Sequence, residues 1–302
     1  MAEYNVENSN TDRLSEFEMK QKTIDRAPFR NLKISDSRLL NTLEGRRKCE
    51  LCYKSRKFFC YTCCVPVIDS SYFPRVKLPI KIDIIKHAHE IDGKSTAIHA
   101  AILAPEDVKI YTYPDFPDIS DKEETVLIFP SKSVQTVSVE SLFTKKKGEN
   151  ATDILANATE IVFPIKRAIF IDSTWQQTKA IYKDQKLREL RCVILKLRIS
   201  QFWRYQKKSP RWYLATIEAI HQFLVELHTC ALREGYPDIH SSMLNGKQDS
   251  VTNGKESEEC VEINQKYQGQ YDNLLYFFKY MYDKIHSIYD HDQLQAYKRP
   301  LA

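Results

Sequence analysis

A carboxylate followed by two hydroxyl residues and a tryptophan is the first feature that could do chemistry. The tetrapeptide Asp172-Ser173-Thr174-Trp175 follows an apolar, β-branched run and precedes a segment of helical character. Ser173 is the predicted N-cap of that helix, with Gln176 three residues on to complete a capping box. Asp172 would then stand at the carboxyl end of a buried strand, where open α/β sheets bind ligands.

The chemistry of this tetrapeptide has two interpretations. Asp172 can act as a general base that removes a proton from a weakly acidic nitrogen. It can equally accept hydrogen bonds from the amides of the following helix, as aspartate often does. Trp175 can stack on a base, or it can only pack the helix against the sheet.

Four cysteines in two C-x-x-C pairs form the second chemical feature. Cys49 and Cys52 are separated by seven residues from Cys60 and Cys63, a spacing that lets four thiolates converge on one Zn²⁺. Cys64 is an alternative to Cys63 as the fourth ligand. Such a site is structural, because four sulfurs leave no open coordination position. Reduced core cysteines and a redox pair are the other interpretations.

Two basic regions are candidates for contact with nucleic acid. The first surrounds the cysteines and suits either a phosphate backbone or a solvated rim. The second, 183–211, carries ten lysines and arginines against two acids, with aromatic residues between them. Cations and aromatic faces together are typical of RNA binding, although the aromatics can instead turn inward. The candidate RNA-binding residues in the second region are Arg198, Arg204, Lys207, Lys208 and Arg211.

The elements that must position these residues can be predicted from hydrophobic periodicity. Helices are expected from Ser95 or Thr96, from 172 to about 190, from Ser209-Pro210 or Thr216, and over 271–289. This order of strands and helices indicates an α/β fold with a largely parallel sheet flanked by helices. Strands are predicted at 80–84, 108–113, 125–129, 134–139, 167–171 and 192–199.

The composition is that of a globular protein with room for one sizeable domain and an attached module. The 302 residues are 42% apolar and 28% charged, with a net charge of +5. No apolar run approaches a membrane span and no secretory signal is present, so we expect a nuclear or cytoplasmic protein. The predicted division is a disordered or loosely docked segment 1–40, a zinc module 41–76, and a main domain 77–302 with flexible insertions near 145–159 and 241–259.

Several of these features occur together in a known family. In order and spacing, the paired C-x-x-C, His87-x-x-Glu90, Asp172-Ser-Thr-Trp175 and Leu214-Ala-Thr-Ile-Glu-Ala219 resemble the DTW-domain family. The resemblance extends from about residue 45 to the C-terminus. One departure is Ala215-Thr216, where relatives commonly have Ser-Thr.

The resemblance implies a SPOUT-like, trefoil-knotted fold and the activity of a tRNA-uridine aminocarboxypropyltransferase. Such enzymes transfer the 3-amino-3-carboxypropyl group of S-adenosylmethionine to N3 of a uridine in the tRNA D-loop region and release methylthioadenosine. The resemblance favours Asp172 as the catalytic base and places His87 at the substrate mouth. The residues expected to hold S-adenosylmethionine are Phe129, Pro130, Ser131, Thr174, Trp175, Thr216 and Glu218.

Two alternative functions stay open at the level of sequence. One is an RNA methyltransferase of the same fold, which would release adenosylhomocysteine. The other is a zinc-containing RNA-binding adaptor without catalysis, which would not bind S-adenosylmethionine. The sequence does not indicate an oligomeric state.

Overall fold

The computed structural model of the chain describes residues 19–131, 136–143, 163–207, 209–232 and 266–301. The strands are β1 (Arg47–Lys48), β2 (Ser55–Arg56), β3 (Phe59–Cys60), β4 (Val65–Pro66), β5 (Lys81–Lys86), β6 (Val108–Thr112), β7 (Thr125–Ile128), β8 (Thr136–Ser138), β9 (Arg167–Asp172) and β10 (Arg191–Ile194). The helices are α1 (19–26), α2 (Ala97–Leu103), α3 (Trp175–Tyr182), α4 (Gln185–Arg188), α5 (Thr216–Ala231) and α6 (Tyr276–His286).

A six-stranded parallel sheet forms the centre of the fold, in the order β6-β5-β9-β7-β10-β8. The predicted class, a parallel sheet flanked by helices, is therefore confirmed. Strand β9 lies between β5 and β7, so its last residue is at the middle of the sheet. Because all six strands run the same way, their carboxyl ends share one edge, which we call the carboxyl edge.

Residues alternate between the two faces of the sheet, and each face has its own apolar core. Ile84 and Phe170 point to the larger core, which includes residues of α2, α5 and α6. Ile85 and Ile169, one position along, point to the smaller core with residues of α3 and α4. Burial on both faces explains why the central strand β9 has a continuous apolar run in the sequence rather than an alternating one.

Several predicted boundaries were wrong, each for a local reason. Thr174, not Ser173, is the N-cap of α3, and Gln177 replaces Gln176 in the capping box. The helix expected to reach 190 breaks after Tyr182, because the Asp184 side chain accepts the amide of Lys186 and starts α4.

The basic segment after β10 also differs from expectation. The strand predicted over 192–199 ends at Ile194, because the backbone of Lys196 bonds to Glu226 and Gln222 of α5 instead of a neighbouring strand. The next helix begins at Thr216, not at 209–210. In the last predicted helix, the α-helical part begins at Tyr276 after a 3-10 turn.

The N-terminal part of the described chain packs on the main domain, unlike the loosely docked segment expected from composition. Asp25 in α1, Phe29 and Leu40 are all buried, and Phe29 contacts the rings of Phe278 and Tyr282 edge-on. Residues 1–18 and the two predicted insertions, 145–159 and 241–259, lie outside the described residues. Among the described helices, none has the length and apolar character needed to span a membrane.

Candidate active site and zinc module

The carboxylate of Asp172 is the centre of the candidate site. It is the last residue of β9, as predicted, and only 6% of it is exposed. Its side chain points to the face of the sheet that carries α2 and α5. The described contacts do not include hydrogen bonds from the amides of α3 to this carboxylate.

Two hydroxyl groups from distant parts of the chain bond to Asp172 instead. Ser95 Oγ donates to Oδ2 at 2.6 Å, and Thr216 Oγ1 donates to Oδ1 at 2.5 Å. Ser95 also accepts the amide of Ala97 at the start of α2. The hydroxyl of Thr96 accepts the amide of Ile217 at 3.2 Å, which ties the starts of α2 and α5 together.

Burial sets the electrostatics of the site. Loss of hydration raises the pKa of Asp172 above its ordinary value, against the opposing effect of Ser95, Thr216 and the charge of Lys86. Burial, followed by the charge of Asp172, also raises the pKa of Glu90. A half-buried basic group, Lys86, forms an ion pair with Asp92 beside these carboxyl groups.

The segment 129–131, predicted to bind the cofactor, lies at the same edge after β7. The rings of Phe129 and Tyr182 lie 4.4 Å apart at 31°, and the Ser131 and Tyr182 hydroxyls are 3.0 Å apart. Tyr182 also lies 3.8 Å from the thiol of Cys192. Tyr182 was not singled out from the sequence, because it lies within the helix predicted from 172 to about 190 and belongs to no motif; in the structure it is the last residue of α3.

The other residues predicted to hold the cofactor are placed at helix starts. Thr174 is exposed at the N-cap of α3, whereas the side chain of Trp175 lies outside the described part of the structure. Glu218 is buried in the first turn of α5. Its carboxylate accepts hydrogen bonds from Ser200 Oγ and from the amides of Gln201 and Ala215. Glu218 thus anchors the basic segment to α5.

His87 lies directly after β5 and is half-buried at the carboxyl edge. Its amide donates to the carbonyl oxygen of Asp172 at 3.2 Å. The ring nitrogen Nδ1 accepts the amide of His89 at 3.1 Å. The sequence placed His87 near Asp172, and the parallel pairing of β5 with β9 supplies the reason.

The predicted RNA-binding arginines are not all on the surface. Arg211 is 2% exposed, because both terminal nitrogens of its guanidinium bond to the carboxylate of Asp25 at 2.7 and 2.8 Å. Arg198 is buried as well, while Arg204 is half-buried and Lys207 exposed. Lys208 lies outside the described residues. The aromatic side chain of Trp203 turns inward onto Phe278, so the inward alternative applies to this part of the segment.

Two hollows in the described surface lie away from Asp172. One of about 280 Å³ is bordered by Cys64 and β6. The other, of about 800 Å³, is bordered by 116–122 and the region of α4. Neither is bordered by Asp172 or by a residue predicted to bind the cofactor or RNA, so the candidate site rests on the chemistry of the carboxyl edge.

The four predicted zinc ligands converge. The sulfurs of Cys49, Cys52, Cys60 and Cys63 all lie within 4.8 Å of one another, as needed for four thiolates about 2.3 Å from one ion. Each C-x-x-C pair is followed by a residue with φ of +57°, Tyr53 or Cys64. This equivalence makes Cys64 the turn residue after the second pair and leaves Cys63 in the group of four converging sulfurs.

Comparison with known proteins places these features in a family. The model of the DTW domain matches residues 57–286. The chain belongs to the DTW-domain family. This DTW domain includes Asp172 and the starts of α2, α3 and α5, and it begins inside the zinc module. Cys60 and Cys63 therefore lie within the match, and Cys49 and Cys52 precede it.

Curated relatives of this DTW protein share most of its length. A mouse protein, tRNA-uridine aminocarboxypropyltransferase 1, is 39% identical over 85% of this chain and 84% of its own. Proteins of the same name from Xenopus tropicalis and human are 39% and 38% identical, with coverage of 84–85% of each chain. No solved structure matches the chain significantly.

Proposed function

We propose that this DTW protein transfers the 3-amino-3-carboxypropyl group of S-adenosylmethionine to a uridine of tRNA. The observation that carries the proposal is the identity of 38–39% with relatives of that name, spread over about 85% of the chain. The proposal includes N3 as the acceptor atom, the D-loop region as the location of the uridine, and a knotted SPOUT-like connection of the strands.

The groups at the carboxyl edge fit S-adenosylmethionine. The molecule carries an adenine ring, two positive centres and a carboxylate. Phe129 and the backbone of 129–131 suit the adenine, and the half-buried carboxyl group of Glu90 suits a positive centre. The amino ends of α3 and α5 supply partial positive charge for the carboxylate.

Asp172 has the properties that a base for this reaction requires. N3 of uridine reacts only when its proton leaves, and a carboxylate with a raised pKa accepts a proton more readily than an exposed aspartate. Because Asp172 is 6% exposed, we infer that the proton reaches it through a half-buried hydroxyl, Ser95 or Thr216. Each hydroxyl would pass its own proton to the carboxylate while accepting one from the substrate side.

The remaining chemistry belongs to the bound cofactor. S-adenosylmethionine supplies an electrophilic carbon: a nitrogen–carbon bond forms as the carbon–sulfur bond breaks, and methylthioadenosine leaves with the sulfur electron pair. The protein selects this carbon over the methyl by holding it in line with N3. No step of this scheme uses the cysteine site.

Mass spectrometry of tRNA nucleosides tests the function. Wild-type protein incubated with unmodified tRNA and S-adenosylmethionine should produce aminocarboxypropyluridine and methylthioadenosine in equal amounts. We expect Asp172→Asn to lower the rate by at least about a hundredfold. Methylated uridine with adenosylhomocysteine would instead establish a methyltransferase, and wild-type turnover by Asp172→Asn would remove Asp172 from the mechanism.

A further inference from the structure

The exposed cations of the described chain include a group on the zinc module that the catalytic chemistry does not use. We call residues 46–54 the outer hairpin; it contains β1, the first C-x-x-C pair and the turn into β2. Its basic side chains are all exposed, and Leu51 and Tyr53 are 66% and 74% exposed. The basic residues are Arg46, Arg47, Lys48 and Lys54. Their acidic neighbours, Glu44 and Glu50, are also exposed but are outnumbered.

The outer hairpin holds Tyr53 in a fixed, outward position. Tyr53 has a φ of +57°, a backbone conformation that residues with large side chains rarely adopt. Two backbone hydrogen bonds of the outer hairpin impose this φ. The Tyr53 amide donates to the Cys49 carbonyl at 2.8 Å, and the Cys49 amide donates to the Lys54 carbonyl at 3.1 Å. The backbone bonds set where the Tyr53 side chain leaves the hairpin, and its exposed ring offers a face on which a base can stack.

One of the cations is similarly fixed. The guanidinium of Arg46 donates to the hydroxyl of Ser55 at 3.1 Å and to its carbonyl at 2.6 Å, across the hairpin. Arg47 and Lys48 occupy successive positions of β1, so their side chains leave opposite faces of the ribbon. The result is a curved, positively charged surface with an aromatic ring at its tip.

This surface is connected to the candidate active site through a short segment. The zinc module contacts 92–93, where Thr62 Oγ1 donates to Asp92 at 3.3 Å and the ring of Tyr61 lies against Gly93. Asp92 forms the ion pair with Lys86, and the same segment continues to Ser95, which bonds to Asp172. The module is thereby fixed beside the mouth of the site.

We propose that the outer hairpin is a tRNA-binding surface of this protein, separate from the basic segment 183–211. Arg47, Lys48 and Lys54 neutralise backbone phosphates, and Tyr53 stacks on an unpaired base near the uridine at the carboxyl edge. This inference deepens the proposed function and rests on it. Structured RNA fits the surface because it offers phosphates and unpaired bases together.

Binding of unmodified tRNA, followed by fluorescence anisotropy between 50 and 200 mM KCl, tests the inference. The variant Arg47→Ala/Lys54→Ala should bind about tenfold more weakly at ~0.1 M salt, with a salt slope smaller by up to about two. Tyr53→Asn, which tolerates the left-handed backbone, should weaken binding about fivefold and leave the salt slope unchanged. Zinc content and melting temperature should match those of the wild type in both variants.

A matched control removes two exposed lysines from the opposite edge of the sheet. Lys77 and Lys166 precede β5 and β9 and are 62% and 77% exposed in their side chains. Lys77→Ala/Lys166→Ala should bind tRNA within about twofold of the wild type. Equal weakening by both double variants would mean that only net charge matters, and it would overturn the inference. Unchanged tRNA binding by the outer-hairpin variants would also overturn the inference. That result would include a surface whose partner is an acidic protein instead of tRNA.

Turnover separates this inference from the proposed function. If both hold, Arg47→Ala/Lys54→Ala raises the KM for tRNA and keeps the wild-type kcat at saturating tRNA. If the wild-type protein makes no aminocarboxypropyluridine but the variant still loses tRNA affinity, the proposed function fails and the binding surface stands. If turnover is present and the KM for tRNA is unchanged, the surface is overturned while the function stands.

Discussion

The hydroxyl of Thr216 donates a 2.5 Å hydrogen bond to Asp172 across 44 residues of sequence. With the bond from Ser95, each oxygen of this carboxylate at the middle of the sheet accepts a hydrogen bond. These contacts do two things together: they fix the starts of α2 and α5 on the end of β9, and they keep two hydroxyls against the buried carboxylate that we propose as the base. A structural role and a chemical role of Asp172 are therefore compatible.

We expect Asp172→Asn to fold and to be at least as stable as the wild type at neutral pH, with a gain on the order of 1 kcal/mol. Burial raises the pKa of Asp172, so its favourable contribution is complete below the ordinary value of 3.8 and is lost as pH rises through the raised pKa. An amide does not carry this buried charge. Thermal unfolding of both proteins from pH 3 to pH 8 should show the advantage growing with pH; a less stable variant at pH 7 would contradict the electrostatic argument.

Thr216→Val should shift the acid limb of the pH–rate profile to higher pH. The hydroxyl lowers the pKa of Asp172, so its removal raises that pKa and leaves less of the base ionised at a given pH. At pH values below the pKa of Asp172, the kcat/KM of Thr216→Val should be about tenfold lower than that of the wild type, because one hydrogen bond to a charged group is lost. Thr178→Val is the matched control, because this hydroxyl bonds to Ser173 and to the carbonyl of Thr174 instead. A uniform loss at all pH values would indicate that Thr216 relays the proton or positions α5, rather than tunes the pKa of the base.

The sequence was sufficient for features that depend on local pattern. Alternating apolar residues located β5, a continuous apolar run located β9, and the repeated C-x-x-C spacing identified the four converging thiols. The partners of Asp172 could not be predicted, because Ser95 is 77 residues away and reads locally only as a helix start. Arg211 was predicted to be an RNA-binding surface residue, and it is buried, for a related reason. Its partner, Asp25, is 186 residues away in a polar segment that composition alone predicts to be loosely docked.

Arg211→Leu should destabilise the fold by about 3–5 kcal/mol, because it leaves the charge of Asp25 buried without a partner. Although burial alone would raise the pKa of Asp25, the hydrogen bonds and charge of Arg211 outweigh it and lower that pKa. The stability from this pair is therefore present above the ordinary value of 3.8 and is lost as pH falls through the lowered pKa.

Urea unfolding measures the loss, and the double variant Asp25→Asn/Arg211→Met is its control. The double variant should recover much of the free energy of unfolding, because no unpaired charge remains. A single variant with wild-type stability and weakened tRNA binding would show that Arg211 contacts RNA instead.

Cys63→Ser should abolish metal binding, whereas Cys64→Ser should keep it. Cys63 belongs to the group of four converging sulfurs, and Cys64 packs against the main core at a turn position. Metal analysis of the purified protein should find one zinc per chain in the wild type and in Cys64→Ser. Treatment with a chelator should lower the melting temperature of both and release the zinc module to proteolysis. Zinc retained by Cys63→Ser and lost from Cys64→Ser would reverse the assignment.

Tyr182→Phe should raise the dissociation constant for S-adenosylmethionine about fivefold and change kcat by less than about twofold. The hydroxyl of Tyr182 lies 3.0 Å from Ser131, and its ring contacts Phe129, so Tyr182 orders the segment 129–131. Tyr182→Leu, which also removes the ring contact, should weaken binding further, and Tyr113→Phe on the same face of the sheet should have no effect. Calorimetric titration with S-adenosylmethionine measures each constant without turnover. A fall in kcat with unchanged affinity would mean that Tyr182 acts on the reaction by another route than the 129–131 segment.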